Sequence, residues 1–172
     1  MYRMKTRVLI FLFMLCSLSL DAQIRLEGYR QTDINPELLT GRWKAHWISM
    51  PGEPANVYGV YHMRKTFELD EVPSRFIVHV TADNRYKLYL NGRFVSLGPA
   101  RGDIYNWSFE TVDLAPYLKK GKNTLASVVW NYAERKPVAQ ISYDQTGFIL
   151  QGNTGHEAVV NTDTTWVCLR NK

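Results

Sequence analysis

At 172 residues the chain is one domain's worth with a short extra segment. A hydrophobic content of 45% against 22% charged supports a packed core and argues against disorder. The aromatic share of 13% suits a β-rich protein whose surface carries flat, amphipathic contact residues.

Arg3, Lys5 and Arg7 flank an apolar run over residues 8–15, "VLIFLFML", which weakens through residue 20 and meets the small residue Ala22 before Gln23. Basic start, apolar middle and small residue at the cut predict a secretory signal peptide, residues 1–22, cleaved after Ala22, and the run is short for a membrane span. The expected destination is therefore secreted or periplasmic. Acylation at Cys16 fits less well, because Phe13, Met14 and Leu15 are bulky where such a site wants small residues. Cleavage removes three basic residues and Asp21, so the net charge falls from +5 to +3, which argues against nucleic acid as a partner. Cys16 leaves as well. Only Cys168 is left, no intramolecular disulfide can form, and the core alone must hold the domain.

Residues 23–42 read as an irregular lead-in with a turn signal at Asn35-Pro36, and residues 43–172 as a single β domain. "WKAHWISM" (43–50) is short, aromatic and strand-like. Residues 57–69 alternate well enough for a strand. In 75–83, Phe76, Val78 and Val80 fall on one face and Ile77, His79 and Thr81 on the other. A hairpin follows, turned at Asn91-Gly92, with Leu88 expected opposite Val95 and Tyr89 opposite Phe94. Further strands are expected within 105–114, 124–130, 137–144, 146–152, 157–162 and 164–169, with at most a helical turn in "APYLKKGKN". No amphipathic helix of three turns is legible. Short strands at regular spacing predict an all-β sandwich or jelly roll.

Reaction machinery is mostly missing. The chain has no Gly-x-Ser-x-Gly elbow, phosphate-binding loop, His-Glu-x-x-His or Cys-x-x-Cys, and His46, His62, His79 and His156 stand at no metal-ligand spacing. Glu110 and Asp113 are near in sequence, but three residues along a strand put side chains on opposite faces. No catalytic residue is expected. Arg101-Gly102-Asp103 spells an adhesion tripeptide, which recurs readily by chance.

The hairpin carries an unusual polar end. Asp83-Asn84-Arg85 lead into it, and its return strand runs out into residues 98–103. If the chain doubles back at Asn91-Gly92, Asp83 and Asn84 meet that exit, with Trp107 and Asn131 also near. A carboxylate beside an amide matches adjacent sugar hydroxyls, and an indole covers the apolar face of a pyranose. Asp83, Asn84 and Asn131 also offer hard oxygen ligands for calcium. The plainer readings are an Asx turn at Asp83-Asn84 and a core role for Trp107.

The segments "WKAHWIS", "YHMRKTFEL", "TADNRYKLYLNGRFVSLGPARGD", "ETVDLAPYLKKGKNTLASVVWN" and "TGFILQG" resemble the N-terminal β-sandwich domain of bacterial α-L-rhamnosidases, glycoside hydrolase family 78, over residues 43–166. "LYLNG" with "DLAPYLKKGKNTLA" also occurs in sandwich domains of family 2 glycosidases, and "ADNRYKLY" with "GPARGD" favours the rhamnosidases. The resemblance implies a galactose-binding-domain-like jelly roll without the family's catalytic (α/α)₆ barrel, as in a truncated or split product. It is similar, too, to the rhamnose-binding carbohydrate module, which uses calcium to bridge to sugar hydroxyls. That likeness implies sugar contacts from Asp83, Asn84, Arg101 and Trp107, and Ca²⁺ ligands from Asp83, Asn84, Asn131 and Pro137. Three functions follow as expectations: a non-catalytic domain binding terminal L-rhamnose of plant-type glycans, a structural sandwich packing on an α-L-rhamnosidase catalytic domain, or a fragment of the hydrolase itself.

Overall fold

A computed structural model describes residues 33–137 and 142–171, and every element in it belongs to the unit of residues 34–172. The expected signal peptide, most of the lead-in and part of the strand expected at 137–144 lie outside the described residues. Alternating apolar positions build two antiparallel sheets. Their strands are β1 (Gly59–Leu69), β2 (Ile77–Asp83), β3 (Arg85–Leu90), β4 (Arg93–Gly98), β5 (Glu110–Asp113), β6 (Gly121–Asn131), β7 (Gly147–Gly152) and β8 (Val167–Arg170). The larger sheet runs β4-β3-β6-β1-β8 and the smaller β5-β2-β7. Among the described residues, helix is confined to α1 (Glu37–Thr40) and short 3₁₀ turns. The chain is an all-β sandwich.

Between the sheets, Tyr61, Met63, Phe67, Tyr86, Leu88, Leu125 and Val129 face Val78, Val80, Phe148 and Leu150 in one core. Each such side chain contributes roughly 1.5–3 kcal/mol when fully buried. Cys168 is free and half-buried, so among the described residues this burial carries the stability without a disulfide. The hairpin turn is as expected. Asn91 and Gly92 take φ of 52° and 80°, the left-handed pair that a two-residue turn needs. The Asn91 amide then donates to the Tyr117 carbonyl at 2.9 Å and accepts the Thr124 N–H at 3.0 Å, tying the turn to β6.

Several sequence expectations need correction. Tyr89 does lie opposite Phe94, but Leu88 pairs with Ser96, because β4 carries a bulge that skips Val95. Residues 43–50 form no strand beyond a single bridge, Ile48 to Phe148. Their backbone is satisfied elsewhere: Ala45 N–H donates to the Gln151 side chain at 2.8 Å and His46 N–H to the Thr162 carbonyl at 2.8 Å. The segment is thereby laid over the outer face of the small sheet. Only Glu110–Asp113 of residues 105–114 is strand, and residues 142–144 are not. His156–Val160 is a 3₁₀ turn where a strand was expected. There Glu157 accepts both the N–H and the hydroxyl of Thr154, at 2.8 and 2.6 Å, which curls the chain.

Candidate functional site

β2 is buried on both faces. Val78, Val80 and Ala82 enter the core, so alternation sends His79, Thr81 and Asp83 to the other side, beneath the covering segments. Each of these three holds a different piece of the cover. His79 packs edge-on against Phe109 and tilted against Trp43. Thr81 accepts the Trp107 indole N–H at 2.9 Å and donates its hydroxyl to the Ser108 carbonyl. Asp83 accepts the Tyr143 N–H at 2.7 Å and the Ser142 hydroxyl at 2.5 Å.

The result is a cavity of about 540 Å³ whose lining includes Asp83, Trp47, Trp107, Tyr143, Gln145 and Thr146. Trp107 and Tyr143 lie nearly parallel, 13° between planes and 5.3 Å between centroids, while Trp47 meets Trp107 edge-on at 6.0 Å. Trp47 reaches this position because residue 147 is glycine: a Cβ there would stand 2.8 Å from the indole. Trp47 and Tyr143 are 50% and 57% exposed, so aromatic surface faces the opening, whereas Asp83 at 2% lies at the floor. Burial pushes the Asp83 carboxyl above the ordinary aspartate value, against the opposing pull of donors from Ser142, Tyr143 and Asn84. Walls of this kind over one charged polar group suit a ligand with an apolar face and a hydroxylated edge.

The expected site residues are thus partly united. Asp83 and Trp107 share the cavity. Asn84 is fully buried beside it. Its amide donates to Asp83 at 2.6 Å and to Ser142 at 3.0 Å, and its oxygen accepts the Tyr132 N–H at 2.7 Å. Asn131 is equally enclosed, donating to Thr146 and accepting the Ala133 N–H at 2.7 Å. Arg101 does not line the cavity; it is exposed on the 99–109 loop, with its carbonyl accepting the Ser108 hydroxyl at 3.0 Å. The adjoining Asp103 is folded back onto the N–H groups of Tyr105 and Asn106, so the Arg-Gly-Asp sequence is a turn-forming element. Pro137 is exposed at the edge of the described stretch.

Calcium would need oxygens from Asp83, Asn84 and Asn131. Both Asp83 oxygens, Asn84 Oδ1 and Asn131 Oδ1 each accept an N–H or O–H donor already. In this arrangement these residues serve as hydrogen-bonded anchors of the surrounding loops. Trp47, Thr81, Ser142 and Tyr143 were not singled out from sequence as site residues. Thr81 had a legible signal, since it shares a strand face with Asp83 two residues on.

No protein-family profile matches the chain, and no curated protein matches it either. Solved structures do. A GH78 family rhamnosidase of Bacillus sp. GL1 is 25% identical, with a TM-score of 0.62, over 76% of this chain and 14% of its own. The chain resembles one domain of the GH78 rhamnosidases. The α-L-rhamnosidase from Dictyoglumus thermophilum agrees in fold, at 21% identity and a TM-score of 0.59 over 74% of this chain and 17% of its own. This rhamnosidase-like sandwich therefore spans only about a sixth or a seventh of those enzymes' length. A lectin from Pleurotus ostreatus, solved in complex with GalNAc, shares the fold at 23% identity and a TM-score of 0.52, over 74% of this chain and 35% of its own.

Proposed function

We propose that this chain is an exported, non-catalytic carbohydrate-binding domain that holds a terminal L-rhamnose of a plant-type glycan in the cavity above Asp83. One observation carries the reading: a buried carboxylate forms the floor of a cavity walled by Trp47, Trp107 and Tyr143. The indoles take the apolar face of the sugar, and the carboxylate accepts from its hydroxyls. The rhamnosidase and lectin likenesses support this choice of ligand class. Calorimetric titration with L-rhamnose, repeated with calcium and with chelator, is the test. Saturable binding that disappears in Asp83→Ala supports the proposal. A folded protein with no heat under either condition overturns it.

A second reading rests on a different face. The outer side of the five-stranded sheet exposes Phe94 and Leu97 at its β4 edge and Val167 and Leu169 at its β8 edge. Such a surface suits a sandwich that packs on a catalytic domain of the rhamnosidase kind without binding sugar. Absence of sugar binding together with co-purification of a recombinant α-L-rhamnosidase barrel would select it.

A further inference from the structure

A second cavity of about 390 Å³ lies against the first, and Trp47 and Trp107 border both. Its other walls include Trp43 and Phe109, set edge to face at 5.3 Å, with Arg42 as the one charged residue in its lining. Two of the three indoles are fixed by hydrogen bonds. Trp43 donates to the Leu38 carbonyl at 3.0 Å and Trp107 to Thr81 at 2.9 Å. We infer that this cavity is a second sugar subsite that takes an acidic residue, a hexuronate, next to the terminal sugar.

Continuity is the first argument. One aromatic pair separates the two cavities, so a ligand seated over Asp83 extends past Trp47 into the second. Polarity is the second. The first cavity has a buried carboxylate at its floor and would repel an anion, whereas the second offers the exposed guanidinium of Arg42 and no carboxylate in its lining. This asymmetry fixes the direction of a bound disaccharide: neutral polyol towards Asp83, carboxylate towards Arg42. A planar guanidinium is suited to bidentate recognition of a carboxylate. An aromatic wall gives the pyranose ring its apolar contact.

The inference rests on the reading of the first cavity as a sugar site, and the experiment separates the two. The full chain is titrated with L-rhamnose, with the disaccharide of L-rhamnose on D-glucuronate, and with the neutral disaccharide on D-glucose. The expected result is an affinity for the acidic disaccharide about tenfold above the neutral one, falling at high salt. Arg42→Gln is expected to abolish that preference while leaving L-rhamnose binding unchanged, and Trp43→Ala to weaken both disaccharides but not the monosaccharide. Equal affinity for all three ligands overturns the second subsite and leaves the first intact. Equal affinity for the two disaccharides, above that for rhamnose, overturns the acidic specificity. No binding of any ligand removes both readings at once.

Discussion

The carboxylate of Asp83 accepts the backbone N–H of Tyr143 at 2.7 Å, joining the floor of the cavity to its wall. The same carboxylate takes the Ser142 hydroxyl and the Asn84 amide, so three donors converge on one group that is almost wholly buried. The cavity wall and the fold therefore share a single side chain. A carboxylate has about four acceptor sites, which leaves capacity for a sugar hydroxyl beside these three donors.

Truncation of this residue is expected to cost stability as well as binding. Asp83→Ala strands the buried Asn84 amide donor, at about 1–3 kcal/mol for a group left unsatisfied, and frees the part-buried donors of Ser142 and Tyr143. Asp83→Asn keeps the shape and one acceptor oxygen and is expected to lose less. Urea unfolding of both variants measures the difference. An Ala variant as stable as the parent would mean that the donors find other partners and that Asp83 is no anchor.

Trp47 should behave in the opposite way. Half of its surface is exposed, so Trp47→Ala is expected to change folding stability by less than about 1 kcal/mol. Its loss from the cavity rim should lower sugar affinity about tenfold, or roughly 1.4 kcal/mol. Thr81→Val makes a useful companion, because it removes the acceptor of the Trp107 indole N–H, and the donor to the Ser108 carbonyl, at a residue outside the lining of the first cavity. Its effect on affinity measures what fixing that indole contributes. Unchanged affinity in both variants would remove the aromatic wall from the site.

A chelator should do little. The oxygens expected to hold calcium already accept N–H and O–H donors that fix the surrounding loops, so the fold around them is held without an ion. The expected outcome is that EDTA leaves both the thermal midpoint and L-rhamnose affinity unchanged. A clear rise in midpoint on adding calcium would contradict this and restore the bridging role that the family resemblance implies, since a ligand that binds the folded state stabilises it by mass action.

Strand placement was legible wherever apolar residues alternate, as in β1, β2, β6 and β7, and the Asn-Gly turn was legible from its residues alone. Residues 43–50 and 157–162 have strand-like composition, yet their N–H and C=O groups are satisfied by particular distant side chains or local turns. Composition does not encode such partners. The same limit explains the site. Asp83 and Trp107 stood out as residue types, but the wall from Tyr143 depends on a hydrogen bond across the fold, and the seat of Trp47 on a glycine in β7.

His79 supplies a pH dependence with a definite sign. It is fully buried, with Thr111 at 3.0 Å from one ring nitrogen and Asn153 at 2.9 Å from the other. Burial lowers its pKa below the ordinary 6.5, although the Asn153 contact and the charge of Glu157 pull the other way. As pH falls through 6.5, the unfolded chain takes up a proton that the folded protein resists, so the unfolded state binds more protons and stability declines. This contribution is complete above 6.5 and is lost on acidification through the lowered folded value. Asp83, whose pKa is raised by burial, acts in the opposite sense at lower pH: there the folded state binds its proton more readily, and stability declines as pH rises through the raised value. Urea midpoints at about pH 7.5 and about pH 5.5 should therefore show the protein weaker in acid, since the window between them contains the histidine titration. His79→Gln has no group that titrates there and is expected to flatten the slope. A slope that persists in the variant would place the proton-linked step at another residue.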